Sequence, residues 1–320
     1  MYLEKFLILF LKKMLYYTNI TINNLINLMK NNKKKGDVKA FDLNWRSRKE
    51  TLYTHWVKNK VQNQIQLAFR NHWLLFSEII SKTKNFNKGK RVLEVGCGRG
   101  SLSCYFSDAG FDCTLVDLSE KVLSVAKKIF SKNKLKAKFI NGDANNLKID
   151  NSSFDVIFSI GLLEHFENVE AVLAEQIRLL DKGGIWFGYV VPKYDNNIQK
   201  DYVWVNEILD GYQQLIQNKN IKKNKIKKKD RIFRSDFGSK HYINILKKLG
   251  LRNIQSSGVY PIPMISHSID FPFSLMPKTS EKELIKYFNS ILKKNTQKTG
   301  KNQWLCKEGY GNAFLVWGIK

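Results

Sequence analysis

Three glycines stand at alternate positions, Gly96, Gly98 and Gly100, in the stretch Arg91-Val-Leu-Glu-Val-Gly-Cys-Gly-Arg-Gly100. Val92, Leu93 and Val95 before them suit a buried strand, and a helical pattern begins at Ser101-Leu102. A strand that stops at a glycine turn and re-enters a helix gathers backbone N–H groups and a helix N-terminus beside a gap free of side chains. That is a seat for a nucleoside-bearing group. Acidic residues close two further apolar runs. Asp117, about twenty residues past Gly96, can accept hydrogen bonds from both hydroxyls of a ribose. Asp143, in Gly142-Asp143-Ala144, is placed to accept from an adenine amino group, with the Ala144 backbone at the ring edge. Glu94 adds a carboxyl just before the turn. His165, preceded by Glu164, follows the fourth apolar run and is the candidate for taking or orienting a proton at the mouth of the site.

The elements that must carry these residues follow from periodicity. Short apolar runs at Val92–Val95, Cys113–Val116, Lys138–Ile140, Phe154–Ser159 and Ile185–Val191 alternate with helical patterns over Leu102–Ala109, Val122–Phe130 and Val169–Leu180. Ser119 can cap the second of these helices, with Glu120 in its first turn, and Lys182-Gly183-Gly184 is expected to end the third. Strands separated by helices at this spacing mean βαβ units and a parallel sheet. Upstream, Val61, Ile65, Phe69, His72, Phe76 and Ile79 recur at helical spacing, and aromatics before them (Trp45, Tyr53, His55, Trp56) either staple that helix or cover the glycine turn. Downstream, helices are expected over Val205–Leu215, Lys240–Leu249 and Glu283–Leu292, a sixth strand over Arg252–Ser256 and a closing strand at Ala313–Trp317. Four of the five prolines fall in Pro261–Pro277 and fix an irregular apolar loop.

The chain has 320 residues, is 43% hydrophobic, and carries 54 Lys+Arg against 28 Asp+Glu, a formal net charge of +26. A large core is affordable, and the charge would suit polyanions or anionic lipid. Lysine is spread through loops and tails, however, which points to chain-wide bias over a dedicated surface. Lys222–Lys229 reads as a solvated loop. Cys97, Cys104, Cys113 and Cys306 form no C-x-x-C pair and no metal-finger spacing, in keeping with free thiols in a reducing cytoplasm. Phe6–Leu11 is apolar but far short of the ~20 residues a membrane helix needs. Residues 1–40 read as a weakly ordered leader and linker, with peripheral membrane contact the most that its apolar start suggests.

A dinucleotide fingerprint G-x-G-x-x-G would need glycine at position 101, which is Ser101. Instead, Leu93-Glu-Val-Gly-Cys-Gly-Arg-Gly100, Val116-Asp117, Gly142-Asp143-Ala144, Phe154-Asp155-Val156-Ile157 and Gly161-Leu-Leu-Glu-His165 together resemble the class I S-adenosylmethionine-dependent methyltransferases. The resemblance runs from about Lys90 to Val191. It implies an α/β, Rossmann-like three-layer sandwich: a seven-stranded, mostly parallel sheet with an antiparallel last strand. The implied layout is a leader (1–40) and one methyltransferase domain (41–320), with a helical lid (41–85), cofactor-binding core (90–191), acceptor cover (192–312) and closing strand (313–319). The implied cofactor is S-adenosyl-L-methionine, contacted by Glu94, Gly96, Cys97, Gly98, Gly100, Asp117, Leu118, Asp143, Ala144, Ser159, Ile160 and Gly161. Asp155 would be a start-of-strand residue and not a ligand.

Ubiquinone-pathway O-methyltransferases have a similar Glu-His pair with another acidic residue three positions before the Glu, and are thought to use a metal. Here that position is Gly161, so no metal is expected and His165 stands alone as the catalytic candidate. Arg234, Tyr260 and His267 are candidates to line the cover. No Asn/Asp-Pro-Pro-aromatic turn follows the fourth run, and no cysteine follows proline, which disfavours nucleic-acid acceptors. A small-molecule or lipid-like acceptor, methylated on O, N or C, is expected. An RNA or protein methyltransferase docking through Lys222–Lys229, and a non-catalytic cofactor-binding scaffold, stand as alternatives.

Overall fold

In the computed structural model, residues 55–83, 90–193, 233–259, 278–299 and 305–320 are described. The apolar runs of the core become β1 (Arg91–Val95), β2 (Asp112–Asp117), β3 (Lys138–Asn141), β4 (Phe154–Ile160) and β5 (Leu180–Val190). The helices between and before them are α1 (Gln64–Lys82), α2 (Ser101–Asp108), α3 (Glu120–Lys132) and α4 (Val169–Leu179). After these come α5 (Ser239–Lys248), β6 (Arg252–Val259), α6 (Lys278–Thr299), β7 (Leu305–Cys306) and β8 (Ala313–Ile319).

Among the described residues one sheet runs β3-β2-β1-β4-β5-β8-β6-β7. β1 to β5 pair in parallel, and β8 inserts antiparallel between β5 and β6. Chain order reverses between β1 and β4, so a crevice opens beyond their carboxyl ends, where open parallel sheets bind ligands. The two faces of the sheet carry separate cores. Val92, Phe158 and Phe187 pack under α1, α2 and α3, while Leu93, Ile157 and Trp186 pack under α4 and α5. This three-layer arrangement matches the expectation. It differs in strand number, because β7 adds a two-residue edge strand against β6.

Local chemistry explains most element ends. Asn63 starts α1 by accepting from the Gln66 N–H, and Ser119 starts α3 by accepting from the Val122 N–H. Phe76 of α1 stacks on Phe187 of β5 at 4.3 Å between ring centres, and both are fully buried. Truncating such a ring typically costs about 3–5 kcal/mol. α1 has no acidic residue in its first turn; Glu281 of α6 supplies one instead, accepting from the Gln64 N–H at 2.8 Å and from its side-chain amide at 3.2 Å.

The expected stop at Lys182-Gly183-Gly184 is corrected. α4 ends earlier, at Leu179, and these residues are already within β5. They carry a register shift against Phe154/Val156 of β4. Gly184 permits this because a Cβ there would lie 2.9 Å from the carbonyl oxygens of both Asp155 and Asp181. β6 and α6 are both longer than expected, since pairing with β8 and packing on α1 extend them past their apolar repeats. The leader, Trp45, Tyr53, Val205–Leu215, Lys222–Lys229, Tyr260, Pro261–Pro277 and His267 lie outside the described residues.

Candidate cofactor and acceptor site

The glycine turn sits at the carboxyl end of β1, beside the point where strand order reverses. Gly96, Gly98 and Gly100 have φ of +68°, +53° and +66°, a region that side chains disfavour. A Cβ on Gly96 would meet Leu162 Cδ1 at 2.6 Å, and one on Gly100 would meet Leu115 Cδ2 at 2.4 Å. The turn is tied to β2 by the Gly96 and Cys97 N–H groups, which donate to the Val116 carbonyl at 2.9 and 3.0 Å.

Asp117, at the end of β2, has a second task that its position in the sequence did not reveal. Its Oδ2 accepts from the Gly98 N–H at 3.0 Å and its Oδ1 from the Ser119 N–H at 2.9 Å. The carboxylate therefore clamps the turn. Asn141, which the sequence reading missed, donates its side-chain amide to the Asp117 and Leu118 carbonyls and so holds the end of β3 against the end of β2. Leu118 projects beside them with 50% of its surface exposed. Asp143 is exposed, with Oδ1 engaged by the Asn145 N–H and side-chain amide, and Ala144 is half-buried next to it. The adjacent ends of β3, β2, β1 and β4 thus bring the Gly96–Gly100 turn, Asp117, Leu118, Asp143, Ala144 and Ser159–Gly161 to one edge of the sheet.

Glu94 and Cys97 are buried at that end of β1. Glu94 is 4% exposed and accepts from the Ser103 hydroxyl at 2.5 Å, so it faces α2 beneath the turn. Burial raises its pKa to about 8, against which the Ser103 hydrogen bonds act, so it is largely a neutral acid at pH 7. Burial also pushes the Cys97 thiol far up, which removes it as a nucleophile.

His55 and Trp56 are buried, and His55 Nδ1 lies 2.8 Å from the Ser101 hydroxyl at the start of α2. The His55 ring stacks on Phe69 at 4.9 Å, Phe69 meets His72 edge-on at 5.9 Å, and His72 meets Tyr189 at 4.8 Å. These rings form a continuous strip from the glycine turn to the end of β5. Among the described residues, His55 thus packs on Phe69 of α1 and Trp56 on Tyr105 of α2.

β4 ends at Gly161, whose φ is +64° and whose N–H donates to the Tyr189 carbonyl at 2.9 Å. A single 3-10 turn, Leu163–His165, follows. His165 Nδ1 lies 2.7 Å from the Phe233 carbonyl oxygen, which can only accept, so Nδ1 carries a proton, and the ring is also hydrogen-bonded to the Gly161 backbone. Burial lowers the His165 pKa to about 4, with the charge of Arg234 acting in the same sense. The imidazole is neutral at pH 7. Glu164 is 2% exposed, and burial raises its pKa to about 8. Asp155 lies at the opposite end of β4, as expected of a start-of-strand residue. It takes three hydrogen bonds from Arg91 at 2.9–3.0 Å, which outweigh its burial and hold its pKa below the ordinary carboxylate range. His241 stacks on Phe237 at 4.0 Å. Among the described residues no cluster of three or more His, Cys, Asp or Glu could hold a metal ion, and no helix is long and apolar enough to cross a membrane.

Residues 93–187 match a family model described as a methyltransferase domain. The chain is 34% identical over 151 residues to a demethylmenaquinone methyltransferase of Leptospira interrogans, covering 45% of this chain and 56% of that protein. It is 36% identical over 100 residues to a ubiquinone biosynthesis O-methyltransferase of Pelagibacter ubique, covering 31% and 41%. It is 31% identical over 142 residues to a sterol 24-C-methyltransferase of Clavispora lusitaniae, covering 41% and 36%. The chain thus spans about a third to just over half the length of these curated relatives. The matched region runs from within β1 to within β5 and includes the glycine turn, Asp117, Asp143 and the Glu164–His165 pair.

Proposed function

We propose that this chain, whose residues 93–187 match a methyltransferase domain, is a class I S-adenosylmethionine-dependent enzyme that methylates a small, partly apolar, lipid-like acceptor. The observation that carries the reading is the Asp117 clamp: a carboxylate at the end of β2, fixed by the Gly98 and Ser119 N–H groups beside a turn whose glycines keep side chains out of the cradle. Those residues fit a ribose-bearing cofactor. The relatives named for demethylmenaquinone, ubiquinone-pathway and sterol methylation favour an acceptor with an apolar body.

When bound, S-adenosylmethionine supplies a methyl group on a sulfonium centre that is already a good leaving group. The protein's share is alignment and exclusion of water. Asp117 would receive the ribose hydroxyls, Leu118 and Ala144 would flank the adenine, and Asp143 would accept from its amino group. Ser159 to Gly161 would lie along the amino-acid end. His165, neutral and next to the end of β4, would take or orient the acceptor's proton as the methyl arrives. Incubating the protein with radiolabelled S-adenosylmethionine and a lipid extract tests the assignment. Counts should enter the organic phase, and His165→Gln should reduce them by about 10²-fold or more. Failure of S-adenosylhomocysteine to bind in calorimetry would end the reading altogether.

A further inference from the structure

Helix α4 holds the loop that follows β3 through a single ion pair. Glu175 and Arg178, about one turn apart on α4, meet in a two-pronged contact. Arg178 Nε donates to Glu175 Oε2 at 2.9 Å, and its Nη2 donates to Oε1 at 2.8 Å. Both partners then reach the same residue of the loop. Glu175 Oε1 accepts from the Leu147 N–H at 2.6 Å, and Arg178 Nη2 donates to the Leu147 carbonyl at 3.0 Å. Arg178 Nη1 donates onward to the Ile149 carbonyl at 2.9 Å and to the Asn151 side chain. The Ser152 N–H returns the contact, donating to the Arg178 carbonyl at 3.1 Å. The hydrogen bonds from Arg178 hold the Glu175 carboxyl below the ordinary carboxylate range, so the pair is charged at pH 7.

Leu147 in turn fixes the turn that carries Asp143. Its side chain is buried beside Gly142, where a Cβ would lie 3.0 Å from Leu147 Cδ2. The turn between them is closed by the Asn146 N–H, which donates to the Asp143 carbonyl at 3.0 Å. Within it the Asn145 N–H and side-chain amide aim the Asp143 carboxylate, at 2.9 and 2.7 Å from Oδ1. Asp143 and Asn146 are exposed, so packing does little to place them. Leu147 is held by side chain, N–H and carbonyl at once, and the turn hangs from it. A carboxylate reads a donor only where it is held, because a hydrogen bond fades within about 0.5–1 Å of its best distance.

We propose that Glu175 and Arg178 are positioning residues for cofactor selection: through Leu147 they hold the Asp143 turn where its carboxylate tells an amino-bearing purine from an oxo-bearing one. This rests on the cofactor reading above and gives α4 a part in that site. An adenine presents a donor to the carboxylate, and the matching oxo-purine presents an acceptor there, which repels it. With the ion pair broken, the turn loses its anchor and the preference goes with it.

The test is calorimetric titration of the whole chain with S-adenosylhomocysteine and S-inosylhomocysteine, which carries an oxo group in place of the adenine amino group. The wild type should bind the adenosyl probe about 10- to 100-fold more tightly, the range of one hydrogen bond to a charged group. Arg178→Lys keeps the charge but not the fork; it and Arg178→Gln should each weaken S-adenosylhomocysteine about tenfold and leave S-inosylhomocysteine within about twofold. Glu175→Gln keeps an acceptor for the Leu147 N–H and should retain most of the preference, which Glu175→Leu should lose. A merely structural role would weaken both probes alike. Arg91→Gln supplies that comparison, because it breaks the ion pair with Asp155 at the other end of the sheet and should lower Tm with the preference unchanged. Asn151→Ala removes one exposed contact of Arg178, should lower the preference about two- to threefold, and serves where the Arg178 variants do not fold. A wild type without the preference, or a preference unchanged in every Arg178 and Asn151 variant that folds, would overturn the proposal and leave the cofactor reading standing. No binding of S-adenosylhomocysteine to the wild type would overturn both.

Discussion

Asp117→Ala separates the two tasks that the structure gives one carboxylate. The substitution removes two charge-assisted hydrogen bonds, from Gly98 N–H at 3.0 Å and Ser119 N–H at 2.9 Å. Hydrogen bonds to charged groups contribute about 1.5–3 kcal/mol each. Asp117 is only half-buried, so water recovers part of that and the lower end applies. The loss in stability should be about 2–3 kcal/mol, or roughly 5–10 °C in Tm for a domain of this size. Two hydrogen bonds to the ribose hydroxyls would go as well, weakening S-adenosylhomocysteine by about 10²-fold or more. Calorimetric titration and thermal denaturation of the same preparations measure both. Asp117→Asn keeps one acceptor oxygen and should fall between wild type and Ala on both scales. A Tm that drops with affinity held within about threefold would leave Asp117 as a turn clamp alone and refute the ribose assignment. Lost affinity with an unchanged Tm would instead mean that the two backbone bonds add nothing to the fold.

Stability should decline as pH rises from about 6.5 to about 8. Glu94 and Glu164 have folded pKa values of about 8 against ordinary values of 4.5, so the folded state holds protons that the unfolded chain has released. That contribution is complete below 4.5 and is lost as pH climbs through 8. His165, at about 4 against 6.5, acts the other way and only below 6.5, where acidification destabilises. Urea midpoints at pH 6.5 and 8.0 should differ in the wild type and converge in Glu94→Gln/Glu164→Gln; a flat wild-type profile would contradict the burial of these carboxyls. Two glycine substitutions give a contrast in packing. Gly100→Ala adds a Cβ 2.4 Å from Leu115 at φ +66° and should cost about 2–4 kcal/mol, whereas Gly183→Ala, at φ +81° with nothing within 4 Å, should cost only about 1 kcal/mol in urea titration.

Much of the fold was legible because its signals are local. The strands of the parallel core show as apolar runs between turn residues, and Ser119 as a cap follows from its place before Val122–Phe130. Gly96, Gly98 and Gly100 announce a left-handed turn by residue type. The misplaced end of α4 has a local cause too: glycines after a helix usually end it, but here they let β5 start irregularly against β4. Element lengths were underestimated where long-range pairing set them, as in β6 and α6.

The site divides along the same line. The sequence by itself determined which residues end β1, β2, β3 and β4, because a strand's terminus and a glycine's φ are properties of neighbouring residues. Only the tertiary structure decided what those residues meet. His55 reaches Ser101 across 46 positions, Glu281 reaches Gln64 across 217, and the Phe233 carbonyl holds the His165 ring across 68. It also decided their charge. Glu94 and Glu164 are ordinary carboxyls in the sequence and neutral acids in the fold, because the cost of ionisation depends on how much water the packed chain leaves around them.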